Sequence, residues 1–184
     1  MEHLVQLPAD TPEVRALCER LVPGEISVVL DVETPPGAKP CDCVPNVERV
    51  IAAHGGGVQY GWQLWETLPG VMLEAEFHAV WVDPDGDLRD VTPKDLPFER
   101  SVFLRDPALV YDGRQIDNVR VALRDDPLIM DFIRAAEQFY EATNRGELAD
   151  YHGYLGMTSE MTKLSERRGR LGLAIAKKYY AKQQ

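Results

Sequence analysis

Cys43, His78 and Asp90 are residue types that together can run thiol chemistry. A cysteine held as thiolate attacks a carbonyl carbon, a histidine within hydrogen-bond reach moves the proton, and a carboxylate fixes the imidazole. A thiolate is favoured at a helix N-terminus, where unpaired N–H groups and the macrodipole face the sulfur. Cys43 stands just ahead of such a segment: Val47, Val50 and Ile51 keep helical spacing through His54, and Gly55-Gly56-Gly57 ends the helix.

His78 lies in the apolar strand pattern Glu74 to Trp81, and Asp90 follows the tight turn Asp83-Pro84-Asp85-Gly86. In an antiparallel hairpin about that turn, position 78 falls opposite 90 or 91, where side chains on one face approach within about 5 Å at Cβ. An Asp90–His78 pair would fix the imidazole tautomer. Acyl transfer also needs donors for an oxyanion, and Gln59, Trp62 and Gln63 on the preceding strand are candidates.

Other residues support other readings. Cys41 competes with Cys43 for the nucleophile role from further back in the loop, while Cys18 falls on the apolar face of a helix. His54 suits capping of its own helix end. Cys41, Cys43, His54 and His78 have the donor types of a zinc site, though not the usual close spacing, and zinc binding is one rival function. Asp83, Asp85 and Asp87 suggest a calcium loop, but the terminal glutamate is missing, so they read as turn residues.

The elements that must position these groups follow from pattern. Thr11-Pro12 starts a helix through Leu21, and Ile26 to Val32 reads as a strand running into the loop Pro35 to Pro40. Val58–Trp65 and Val71–Val82 read as long strands, Asp87–Val91 as their return, and Ala108–Tyr111 with Val119–Leu123 as one more pair. Pro127–Ala142 and Met157 to about Lys182 show helical spacing. The expectation is an α+β fold: an antiparallel sheet, a nucleophile-bearing helix packed on it, and C-terminal helices. It forms a single domain over 1–184, with a core at 41–93 and a helical part at 126–184.

With 184 residues, 45% apolar and 27% charged, the chain can build one sizeable core. A net charge of −10 argues against broad nucleic-acid binding. No apolar run approaches the roughly 20 residues of a membrane span, the opening lacks a signal-peptide layout, and three unevenly spaced cysteines suit a reducing compartment, so a cytoplasmic protein is expected. From Met157 on, Lys163, Arg167, Arg168, Arg170, Lys177, Lys178 and Lys182 outnumber Glu160 and Glu166. That basic helix either packs beside an acidic body or offers a partner-binding face, and a non-catalytic interaction module is a further reading.

His78-Ala79-Val80-Trp81-Val82, then Gly86, then Asp90-Val91-Thr92-Pro93, resembles the transglutaminase-like branch of the papain-like cysteine enzymes. The likeness spans Cys41 to Pro93, with an extra valine between Ala79 and Trp81 and Asp-Val-Thr-Pro in place of Asp-Pro-Thr. It implies a nucleophile, histidine, acid order carried by Cys43, His78 and Asp90, and no cofactor. It also implies a protein or peptide-like substrate, cleaved, deamidated or transferred at a carboxamide or peptide bond. Within that family an indole N–H often holds the oxyanion, which would favour Trp62.

Overall fold

The computed structural model describes residues 5–94, 98–151 and 156–181, so Lys182 of the basic tail lies outside the described residues. The chain packs as two compact units, one formed by Leu7–Trp65 with Ala75–Val110, the other taking in Glu66–Glu74 and the chain from Tyr111. The mixture of helices and antiparallel strands is the expected α+β class.

In the first unit, α1 (Pro12–Leu21) starts where Thr11 Oγ1 accepts the Val14 N–H, with proline at the first helical position. It buries Val14, Leu17 and Cys18. Then come β1 (Val28–Asp31), α2 (Cys43–His54), β2 (Gly57–Leu68) up to Trp65, β3 (Met72–Val82) from Ala75, β4 (Leu88–Arg89) and β5 (Arg100–Arg105). The spatial order is β1-β5-β2-β3-β4. Val32 bridges Asp90 in parallel, with the Glu33 N–H donating to the Asp90 carbonyl at 2.8 Å, so the two outer strands approach and the sheet curls toward closure.

Alternation along β3 divides the core between two faces. Ala79 and Val91 pack with Val47 and Val50 of α2, while Val80 packs with Leu30 and Phe103. Gly61 of β2 pairs with Arg105, and a Cβ there would overlap the Leu104 carbonyl oxygen and the Phe103 ring. Glycine is thus needed for β5 to lie close against β2.

Two strand expectations differ from the structure. Ala108–Tyr111 is not a strand; the ordered segment is β5, which pairs with both β1 and β2. Its central residues Ser101 to Leu104 are buried without the apolar-polar alternation of a half-exposed strand, and the turn at Pro107 ends it. The return strand is shorter than Asp87–Val91, because only Leu88 and Arg89 keep the ladder with Val82 and Trp81.

The second unit holds the end of β2, the start of β3, β6 (Val119–Ala122), α3 (Pro127–Thr143) and α4 (Ser159–Tyr180), with the Leu123 N–H after β6 donating to the Val71 carbonyl at 2.8 Å. Asp126 caps α3 through the Leu128 N–H and receives Lys178 Nζ at 2.6 Å and the Tyr179 hydroxyl at 2.5 Å. Ile129, Ile133 and Ile175 close a core with Leu68, Val71 and Met72. Met161 and Ile175 are the buried residues of α4, whereas Met157 precedes the Thr158 cap and is exposed. No helix among the described residues is long and apolar enough to cross a membrane.

Candidate active site

Cys43 is the first residue of α2. Ahead of it, Cys41 takes a left-handed backbone (φ 59°), uncommon for a non-glycine residue, and Asp42 is the N-cap without giving the first turn a side-chain cap. The Asp42 carboxylate therefore does not cover the N–H groups beside the thiol. The loop is tied down by Asn46, whose buried amide accepts the Lys39 N–H at 3.0 Å and donates to the Lys39 carbonyl at 2.7 Å and to Thr92 Oγ1 at 3.3 Å. Asn46 thus joins the loop before Cys43 to the segment just past Asp90.

His78 Nε2 donates to Asp90 Oδ1 at 3.0 Å. Continuing the β3–β4 register places Val80, not His78, across from Asp90, so the pair is diagonal on one face rather than directly opposite. The ring also meets Phe103 edge-on at 6.4 Å. With Nε2 committed to Asp90, Nδ1 is the nitrogen left for the thiol, and Cys43 lies near enough to the ring to favour its protonated form. Burial pushes the imidazole pKa down, but the charge and hydrogen bond of Asp90, helped by Cys43 and opposed by Lys94, carry it up to about 9.

Asp90 is fully buried and saturated. Oδ1 also accepts the Thr92 N–H at 3.1 Å, and Oδ2 accepts the Ser101 hydroxyl at 2.6 Å and Lys94 Nζ at 2.7 Å. Burial alone would raise its pKa; His78 and Lys94 outweigh that and hold the carboxyl well below the usual carboxylate range. Lys94 Nζ reaches Gln63 Oε1 at 3.0 Å and lies 3.4 Å from His78 Nε2.

The oxyanion candidates separate. Trp62 Nε1 donates to Asp106 Oδ2 at 3.1 Å, and Gln59 Nε2 to the Tyr60 and Asp106 carbonyls. Gln63 joins the cluster, but through Lys94 on the Asp90 side of the imidazole. The zinc set does not assemble: among the described residues no group of three or more His, Cys, Asp or Glu side chains could hold a metal ion. His54 and Cys43 end the same helix, eleven residues apart, which at 1.5 Å per residue is about 16 Å. His54 instead lies 6.2 Å from the Trp81 ring, and it is the Trp81 indole that donates to the Gly55 carbonyl at the helix end. Asp83 receives the Asp85 and Asp87 N–H groups and Arg89, a turn lock.

Lys94, Ser101 and Asn46 belong to the site without having been singled out from sequence. A groove of about 380 Å³ beside Val50, His54 and Trp81 lies toward the other end of α2 and takes in none of the triad. The chain matches no protein-family model, no curated protein and no solved structure.

Proposed function

We propose that the protein is a cysteine-dependent hydrolase or acyltransferase on a papain-like, transglutaminase-like core, acting on a carboxamide, peptide or thioester carbonyl. The observation that carries the reading is the His78–Asp90 hydrogen bond at 3.0 Å, beside a thiol that opens a helix and favours the protonated imidazole. An imidazole held at about 9 is protonated at neutral pH, the state that gives a proton to a leaving group.

Cys43 attacks as the thiolate beside the protonated His78: Sγ forms a bond to the carbonyl carbon as the π pair moves onto oxygen, where the first-turn N–H groups of α2 can meet it. Collapse breaks the bond to the leaving nitrogen or sulfur, which takes the proton from His78. Water, or an acceptor amine, then attacks the thioester, its proton passes to His78, and the C–S bond breaks to return Cys43. Asp90 holds the ring and balances the imidazolium. His78 and Asp90 are buried while Cys43 is partly exposed, so substrate meets the site at the sulfur.

A second reading has one observation behind it. The saturation of Asp90 by four donors is also what a buried structural network would show, and a non-catalytic module would need nothing more. Its other basis, the basic helix, is partly occupied: Arg167 donates to Gln138, Arg168 covers Phe139 and Lys178 pairs with Asp126.

Incubation with a small thioester acyl donor, followed by mass spectrometry, separates the two. The enzyme reading expects one acyl adduct on Cys43, absent in Cys43→Ser and released by hydroxylamine. No adduct on any cysteine favours the module.

A further inference from the structure

Lys94 enters no step of the mechanism above, yet its side chain is only 7% exposed and its ammonium lies in the middle of the site. Burying an ammonium is unfavourable unless partners replace its water. Here the partners are Asp90 Oδ2 at 2.7 Å and Gln63 Oε1 at 3.0 Å. The arrangement has a consequence for each neighbour. Asp90 keeps a cation whether or not His78 carries its proton. His78 Nε2, whose own proton points at Asp90, has a second positive group 3.4 Å away that cannot accept from it.

Among the described residues, the charged or titratable groups set against His78 are Asp90 and Lys94 from the segment after β4, and Cys43 from α2. β2 and β5 contribute the neutral Gln63 and Phe103, and Ser101 reaches the ring only through Asp90. Lys94 is the cation that opposes the imidazolium, and it is anchored at a fixed distance from it. Gln63 supports this anchoring. Its amide oxygen is turned to Lys94, leaving its buried Nε2 without a hydrogen-bond partner among the described residues.

We propose that Lys94 is a positioning residue, keeping Asp90 charged and oriented throughout turnover while loosening the hold of His78 on its proton, so that the imidazolium can release it to a leaving group near neutral pH. Only its use in turnover rests on the thiol-enzyme reading; the coupling of Lys94 to His78 does not.

The test follows the His78 ring by heteronuclear NMR as pH is raised, in the wild type and in Lys94→Met, Lys94→Arg and Gln63→Leu. Removing the ammonium should make His78 hold its proton about tenfold more tightly. Lys94→Arg should restore wild-type titration, and Gln63→Leu, which releases one anchor, should shift it upward by less. Acylation of Cys43 by the thioester donor should then peak at higher pH in Lys94→Met. A folded Lys94→Met variant with an unmoved His78 titration overturns the proposal. If that variant does not fold, an unmoved titration in Gln63→Leu overturns it. Shifted titrations with no acylation of Cys43 in any form, wild type included, uphold the coupling and overturn the enzyme reading instead.

Discussion

His78 and Lys94 divide one carboxylate between them: Nε2 of the histidine takes Oδ1 of Asp90 at 3.0 Å, and Nζ of the lysine takes Oδ2 at 2.7 Å. With both bases protonated, a single buried anion serves two cations. Whatever anion forms at Cys43 then adds to the charge balance of the site.

Asp90→Asn removes that anion and leaves two buried cations facing an amide. Two effects are expected. Turnover falls by up to about 10⁴-fold, as in triads that lose their acid, or less if thiolate and imidazolium are already paired. Stability falls by about 3 to 5 kcal/mol, the range for breaking a buried ion pair. Urea unfolding of the variant measures the second effect; an unchanged midpoint would be inconsistent with a buried Asp90 serving both cations.

The pH dependence of stability has a defined sign. Folded His78 keeps its proton to about 9, against 6.5 for an ordinary histidine. Its stabilising contribution is therefore complete below 6.5, declines as pH rises toward 9 and is lost above it. The span is on the order of 3 kcal/mol. Asp90 works in the other direction: its contribution is complete above the ordinary value of 3.8 and is lost on acidification through its lower folded value. Urea midpoints between about pH 6 and about pH 10 should fall in the wild type and stay flatter in His78→Gln.

Gly61→Ala should be among the more damaging single changes. The added methyl would overlap the Leu104 carbonyl and the Phe103 ring, and backbone cannot turn away as a flexible side chain does. A loss of about 1 to 3 kcal/mol, the range for overpacking, is expected by thermal or urea unfolding. A variant as stable as the wild type would mean that β2 and β5 are not held this close.

In α4, Ile175 and Leu171 should differ in what their truncation costs. Ile175 is fully buried against Ile129 and Ile133, so Ile175→Ala should cost about 2 to 5 kcal/mol. Leu171 is only partly covered and should lose less on truncation. Equal, negligible losses in urea unfolding would mean that α4 does not pack as described.

The histidine–acid pair was legible because its signal is local: a strand, a tight turn and a return bring His78 and Asp90 together whatever the rest of the chain does. Even so, the register was two residues from direct opposition. Lys94 was not legible, since a lysine after Thr92-Pro93 reads as a solvated loop residue until the fold encloses it. Ser101 went unread with its strand, whose buried centre breaks the alternation a half-exposed strand would show. Asn46 gave no signal at all, because an asparagine in a first helical turn is ordinarily a surface residue. The helical start at Cys43 was visible from the glycines that end α2 and the apolar spacing within it.

If His78 governs the reactivity of Cys43, alkylation with iodoacetamide near neutral pH, read by mass spectrometry on Cys18, Cys41 and Cys43 separately, will show it. Cys43 should be labelled fastest in the wild type and slow by at least about tenfold in folded His78→Ala, where the neighbouring imidazolium is gone, while Cys18 and Cys41 keep their rates. Labelling of Cys43 at the same rate in both proteins would contradict it.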